Sequence, residues 1–233
     1  MKDRLKEIVS ALPQCRTLAD VGCDHGYAAQ AALAQNKCER VILADVSEKC
    51  LDKARRLLKN EIADGRASAF VSDGFDALPP CDAGLIAGMG GEEIIKILDN
   101  ALKNVRLPEF LLLQPMKNPQ KLREKLVACG YEIVKDYVFY VKNKYYVLIS
   151  ARRGEDVLTE EEKEFGRTNV RELPPDFIRF IREELDKLYA FSCGMAASRK
   201  HGGSENPESG NLLPPDAHSI SEKIKRYERY VKN

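Results

Sequence analysis

An apolar run at Thr17–Ala19, the turn Asp20-Val21-Gly22-Cys23-Asp24-His25-Gly26-Tyr27 and an alanine-rich run from Ala28 to Ala34 follow one another without interruption. This order predicts a strand, a glycine turn and a helix whose N-terminus faces whatever the turn approaches. The next apolar run, Val41–Ala44, ends on Asp45. In nucleotide-binding α/β folds a carboxylate about 20 residues past the glycine turn accepts hydrogen bonds from ribose hydroxyls. The glycine spacing departs from the dinucleotide fingerprint, because Asp24 stands where its second glycine would be. Pyrophosphate would meet a carboxylate there. A ligand with ribose hydroxyls, no phosphate and a positive charge fits better, and S-adenosylmethionine has that chemistry. One Gly-x-x-x-Gly turn alone reads equally as a plain strand–helix connection; Asp45 favours a cofactor site.

Strand-like and helix-like runs alternate to about residue 130. Strands are expected at Thr17–Val21, Val41–Asp45, Ala67–Val71, Ala83–Ala87 and Phe110–Gln114. Helices are expected at Ala28–Gln35, at Ser47–Ile62 with Ser47 as N-cap, at Glu92–Asn104, and at Pro119–Ala128 with Asn118 as N-cap. Strict βα alternation implies a parallel sheet covered by helices on both faces. Beyond Gly130, Tyr131–Val141 and Tyr145–Arg152 flank the short polar Lys142-Asn143-Lys144, which predicts an antiparallel hairpin closing the sheet. From Asp156 the pattern changes again. Stripes at Ile178, Ile181, Leu185 and Leu188, and at Ile220, Ile224, Tyr227 and Val231, predict two helices joined through a Gly/Ser-rich loop at His201–Asn211. The expected organisation is a domain over residues 1–155 and a helical hairpin over 156–233.

Composition excludes several classes. With 31% charged and 44% hydrophobic residues the chain has the balance of a globular protein. No apolar run approaches the ~18–20 residues of a membrane span, and Met1–Ser10 has no apolar stretch of a signal peptide. The seven cysteines form no Cys-x-x-Cys pair and have no histidine at ligand spacing, so reduced thiols in a cytoplasmic protein without structural metal are expected. Net charge is only +1, but Lys142, Lys144, Arg152 and Arg153 form a run without an acidic residue. Such runs usually form a solvated face; converging on one side they would track phosphates. Lys117–Lys125 and Ser219–Asn233 carry further local excesses of basic residues.

Three more clusters fall at strand ends. Ser72-Asp73-Gly74 offers a carboxylate for an adenine amino group. Ala87-Gly88-Met89-Gly90-Gly91 implies backbone close to something flat, with Met89 as an apolar contact. Gln114-Pro115 places an amide beside a fixed φ. In open α/β sheets ligands bind at the carboxyl ends of the strands, where all these clusters lie.

Asp-x-Gly-x-Asp-His-x-Tyr, Asp45, Ser-Asp-Gly, Ala-Gly-Met-Gly-Gly and Leu-Gln-Pro, in this order and spacing, resemble the TrmK family, bacterial class I methyltransferases that modify N1 of adenine 22 in tRNA. The resemblance runs from Arg4-Leu5 through the hairpin ending Lys-Tyr-Tyr-Val-Leu-Ile. It implies a Rossmann-like methyltransferase sheet with a C-terminal coiled-coil appendage that contacts tRNA. It also implies that Gly22, Asp24, Asp45, Asp73, Gly74, Gly88 and Met89 line the cofactor, with Arg4 reaching its carboxylate. Gln114, Pro115 and the basic residues Lys142, Lys144, Arg152 and Arg153 fall to the substrate. Asp24, His25 and Tyr27 fall to the chemistry: Asp24 to support the target amino group or the cofactor, Tyr27 to stack on the base, His25 to relay a proton or orient the loop. Met116 and Gly26 depart from the residues common in relatives. N1 lies on the pairing face, so the base must be unpaired or flipped out. A monomer is the expected state. Two other readings stand beside this one: a methyltransferase for a small molecule or protein, and an inactive adenosyl-binding tRNA chaperone.

Overall fold

The computed structural model describes residues 3–76, 78–104, 107–200 and 217–232. The loop expected at His201–Asn211 lies outside them. By compactness the chain divides into two units, Met1–Glu172 and Leu173–Asn233.

The first unit carries β1 (Cys15–Val21), β2 (Cys38–Asp45), β3 (Ala67–Val71), β4 (Ala83–Met89), β5 (Phe110–Pro115), β6 (Tyr131–Val141) and β7 (Lys144–Arg153). They form one sheet in the order β3-β2-β1-β4-β5-β7-β6. The first five strands pair in parallel, and β7 is antiparallel to both β5 and β6. The strand order reverses between β1 and β4, which opens a crevice at their carboxyl ends. The helices are α1 (Arg4–Ala11), α2 (Tyr27–Ala34), α3 (Glu48–Leu57), α4 (Lys59–Ala63), α5 (Gly91–Asn104), α6 (Pro119–Ala128), α7 (Glu160–Phe165) and α8 (Arg167–Glu172).

The central strands read as unbroken apolar runs because both faces are buried. Leu18, Val41, Leu43 and Leu112 enter one core layer with Ile8, Ala29, Leu51 and Leu58. Ala19, Val21, Ile42, Leu111 and Leu113 enter the other, with Ile94, Leu98 and Leu126.

Several local expectations are corrected. The helix expected over Ser47–Ile62 is broken at Leu58 (φ −101°, ψ 27°), where the bend keeps Leu58 in the core against Gly26. Ser47 does cap α3, its Oγ accepting from the Cys50 N–H. Asn118 stands before α6 in the left-handed region and makes no side-chain cap; its Nδ2 donates to Glu92 instead. The hairpin turn is only Lys142-Asn143, both at positive φ, and Lys144 already belongs to β7. Two successive positive-φ residues match the twist of a two-residue hairpin.

The domain boundary also moves, from 155 to 172. Helices α7 and α8 belong to the first unit because a buried polar cluster holds them there. Arg123 of α6, 1% exposed, forms a two-pronged pair with Asp136 of β6, which is fully buried. Its Nη1 also donates to the carbonyls of Lys163 and Glu164 in α7. On β6, the N–H groups of Asp136 and Val138 donate to the Thr168 hydroxyl and the Asn169 amide oxygen of α8. Thr159 and Glu162 close a reciprocal cap on α7.

The second unit contains α9 (Pro175–Lys200) and α10 (Ala217–Val231). Ile181, Leu185, Ile220 and Tyr227 of the expected stripes are buried. Phe177 meets Tyr230 edge to face, and the Tyr189 hydroxyl donates to Glu228.

Candidate active site

A cavity of about 400 Å³ opens at the carboxyl ends of β1, β2, β3 and β4. Gly22, Asp45, Asp73, Gly74 and Met89 line it, as does α5 through Glu93, Lys96 and Asn100, which the sequence reading did not foresee. Volume alone does not select this site. A cavity of about 600 Å³ lies around Asp82, Glu109 and Arg153, and there the strands begin rather than end.

The turn after β1 is built for close approach. Gly22 has φ +73°, and a Cβ there would lie 2.9 Å from Cε of Met89. The Gly22 and Cys23 N–H groups both donate to the Ala44 carbonyl, at 2.8 and 3.1 Å, tying the turn to β2. Asp45 is oriented at both oxygens: Oδ2 accepts from the Asp24 N–H at 3.2 Å and Oδ1 from the Ser47 N–H at 2.9 Å. Each oxygen keeps acceptor capacity for a ligand hydroxyl. Gly26, at φ +75°, gives α2 no side-chain cap. The carboxyl of Asp20 serves instead, accepting from the Ala29 N–H. Asp20 is 4% exposed and its Oδ2 has no partner among the described residues. Burial, reinforced by the charge of Asp45, pushes its pKa up to about 7 against the opposing pull of the Ala29 N–H.

Asp24, His25 and Tyr27 form an exposed group on the turn after β1. None of them lines the cavity, which Asp24 approaches through its N–H to Asp45, and Tyr27 faces a separate depression with Leu5, Gln30 and Ala31. Asp24 takes φ +44°, a strained setting for a non-glycine residue. The rings of His25 and Tyr27 stack with centroids 5.5 Å apart and planes 9° from parallel. Tyr27 is 55% exposed, a half-free aromatic face. Lys53 of α3 joins them, 3.3 Å from His25 Nε2 and 3.8 Å from Asp24 Oδ1. The same Nε2 lies 3.7 Å from Asp24 Oδ2, so it can accept from the ammonium or donate to the carboxylate according to its tautomer. Nothing local in the sequence points to Lys53, which the α3 fold-back brings 28 positions to its partner.

On the other side, α1 crosses to β5, β6 and β7. Arg4 Nε donates to Gln114 Oε1 at 2.8 Å, and its guanidinium lies 5.5 Å above the Tyr146 ring. The Tyr137 hydroxyl donates to Glu7 at 3.0 Å. Gly88 has φ +81°, and a Cβ there would stand 2.6 Å from Arg4 Nη2. Gln114 is wholly buried. Pro115 ends β5, and the next N–H, of Met116, donates to the Met89 carbonyl at 2.8 Å.

The basic run divides between two ends of the sheet. Lys142 and Lys144 are exposed at the hairpin tip. Arg152 and Arg153 pair instead beside the start of β5, eight residues or about 27 Å along β7. There Arg152 binds Glu132, and Arg153 donates to the carbonyls of Cys129 and Leu107 over the Tyr131 ring. No cluster of His, Cys, Asp or Glu fit to hold a metal ion occurs among the described residues.

A Rossmann-like sheet with this strand order, with the Asp45 carboxylate beside glycine turns at its switch point, has the architecture of a class I methyltransferase domain. Residues 1–149 match the methyltransferase domain family model. A Mycoplasma pneumoniae protein assigned as a tRNA methyltransferase is 33% identical over 175 residues, 71% of this chain and 79% of its own length. The Bacillus subtilis tRNA (adenine(22)-N1)-methyltransferase is 26% identical over 157 residues, 66% of each chain. The crystal structure of that enzyme, TrmK, superposes with a TM-score of 0.79 at 19% identity, covering 99% of this chain and 98% of its own. A Streptococcus pneumoniae protein solved with S-adenosyl-L-methionine gives a TM-score of 0.81 at 22% identity over 99% of both chains. The chain belongs to the methyltransferase domain family.

Proposed function

We propose that this chain transfers the methyl group of S-adenosylmethionine to N1 of adenine 22 in tRNA. The observation that carries the reading is the meeting of Gly22, Asp45, Asp73, Gly74 and Met89 around one cavity, with Asp24 of the Asp24–His25–Tyr27 turn bonded to Asp45. The donor set fits the cofactor. The cavity presents carboxylates to hydroxyl and amino groups, its Gly22 cradle leaves room that a side chain would fill, and Lys96 there is tied to Glu93 at 3.4 Å. Asp45 would hold the ribose, Asp73 the adenine amino group and Met89 the adenine face, with Arg4 toward the carboxylate. When bound, the cofactor supplies an electrophilic methyl on a sulfonium.

The residues then have modest tasks, because adenine N1 carries a free lone pair at neutral pH and needs no strong base. Tyr27 offers a stacking face that holds the unpaired base in line. Asp24 stabilises the positive charge that develops on the ring and can accept from its N6 amino group. His25, with Nε2 turned to Lys53, orients Tyr27. Positioning and electrostatics supply the rate. Lys142 and Lys144 at the hairpin tip, and the basic residues of Ser219–Asn233, would meet tRNA phosphates. Among the described residues no helix is long and apolar enough to cross a membrane. The setting proposed with this activity is a monomer acting on tRNA in the cytoplasm. Incubating the protein with labelled cofactor and unmodified tRNA, then digesting, should yield 1-methyladenosine at position 22. Label on protein or on a small molecule alone would refute the reading, and cofactor binding without transfer would favour the chaperone.

A further inference from the structure

Gln114 stands one residue before the end of β5, where a target base would be expected to be read, yet every feature of its amide points away from a base. It is fully buried. Its Oε1 accepts from Arg4 Nε at 2.8 Å, and its Nε2 donates to the Pro115 carbonyl at 3.1 Å and to Met116 Sδ at 3.5 Å. The amide orientation is fixed chemically. A guanidinium nitrogen can only donate, so it must face the oxygen; a carbonyl can only accept, so it must face the nitrogen. Both amide protons are committed within the chain, which leaves no donor for a nucleobase.

What the amide does instead is hold a guanidinium. Arg4 is fixed at three sides: by Gln114 at Nε, by the Tyr146 ring below its plane, and by the close passage of Gly88 beside Nη2. Its Nη1 and Nη2 have no hydrogen-bond partner among the described residues. They form an unused donor edge suited to a two-pronged carboxylate. Gly88, which Arg4 passes, is one residue from Met89 of the cofactor cavity, although Arg4 itself does not line that cavity. The positive φ of Gly88 and the missing side chain keep the approach open.

We infer that Gln114 is a positioning residue on the cofactor side: it sets Arg4 to receive the carboxylate of S-adenosylmethionine and does not read the target base. The inference rests on the methyltransferase reading above. It gives the buried end of β5 a role in cofactor affinity and leaves base recognition to the Asp24–His25–Tyr27 group.

The test uses the full chain and two ligands. Cofactor affinity is measured by calorimetry, and kcat and KM for tRNA by methyl transfer, for wild type, Gln114→Met, Gln114→Glu, Arg4→Met and the double variant Arg4→Met/Gln114→Met. Gln114→Met fills the same space without an acceptor and should weaken cofactor binding about tenfold with the KM for tRNA unchanged. Gln114→Glu keeps the oxygen that Arg4 needs and should restore most of that affinity. The double variant should be no weaker than Arg4→Met alone, because both act through one guanidinium. Unchanged cofactor affinity in Gln114→Met with a raised KM for tRNA overturns the inference in favour of base reading. Unchanged cofactor affinity in Arg4→Met with weakened tRNA binding overturns it in favour of a phosphate contact. Should Gln114→Met not fold, Arg4→Met on the partly exposed α1 and Gln114→Glu decide by the same criteria. A wild-type protein that binds no S-adenosylmethionine refutes the methyltransferase reading itself, a separate result.

Discussion

Replacing Arg123 by Met tests whether the pair with Asp136 fixes the limits of the catalytic unit. The guanidinium is 1% exposed and its partner 0%, and four hydrogen bonds leave it, two to the carboxylate and two to carbonyls of α7. Methionine fills much of the stem volume but leaves the Asp136 carboxylate buried without a counter-charge. Breaking a buried pair from one side costs about 3–5 kcal/mol, a large share of the ~5–15 kcal/mol that holds a domain folded. The carboxyl of Asp136 is already held above the usual range by burial, with Arg123 pulling it back down. Removing Arg123 therefore raises it further. A carboxyl whose pKa is raised by folding contributes stability below its unfolded pKa and loses it as pH rises through the folded value. The penalty in Arg123→Met should accordingly shrink on acidification from pH 7 toward pH 4, where protonation removes the bare charge. Urea unfolding of both proteins across that range, followed by circular dichroism, measures it. A loss below 1 kcal/mol at pH 7, or one independent of pH, would refute the reasoning. Adding Asp136→Leu should recover most of the loss, since a buried pair replaced as a whole by apolar groups is often neutral.

Asp45→Ala should weaken S-adenosylmethionine binding by about 1–3 kcal/mol, the range for a lost buried polar partner; calorimetry on the folded variant checks this. Lys53→Met should lower kcat about tenfold with little change in the KM for tRNA, because it frees Asp24 and His25 from their present placement; equal single-turnover rates would remove that role. Asp20, raised from 3.8 to about 7 by burial, should cost the fold stability as pH climbs between those values; Asp20→Asn should flatten that dependence in urea midpoints. Ending the chain at Glu172 should leave cofactor binding intact and weaken tRNA binding in a salt-dependent gel shift, whereas ending it at Glu155 strips Arg123 and β6 of their partners and should abolish the cooperative unfolding transition.

Much of the candidate site was legible because its chemistry is local. Glycine turns, the Asp45 placement and the Ser-Asp-Gly cluster each follow an apolar run directly, so period and punctuation locate them at strand ends. Residues whose roles depend on distant partners were not legible. Lys53 reaches His25 across 28 positions and Arg4 reaches Gln114 across 110. The short α1 with its C-cap does carry Leu5, Ile8, Val9 and Leu12 at helical spacing, all turned to the core, but at eight residues it is too brief to stand out beside the longer runs. Gln114 was visible as an amide, but its direction is decided by a donor at the opposite end of the domain. The boundary at residue 172 was hidden for the same reason: Thr168 and Asn169 read as ordinary polar residues until β6 lies beside them. Charge counting placed Lys142 and Arg153 together, and strand length separates them.

The hydrogen bonds from Asp136 and Val138 of β6 to Thr168 and Asn169 have a consequence for life in a crowded solution. A terminal strand normally exposes a row of unsatisfied N–H and C=O groups onto which a foreign strand can zip. On β6, an 11-residue strand and the longest in the sheet, two of those donors are already occupied by side chains of α8, and the register slips between Ile133 and Lys135. The opposite border, β3, is only five residues long. One margin of the sheet is thus partly hemmed and the other is short, which leaves little open edge for a foreign strand to join.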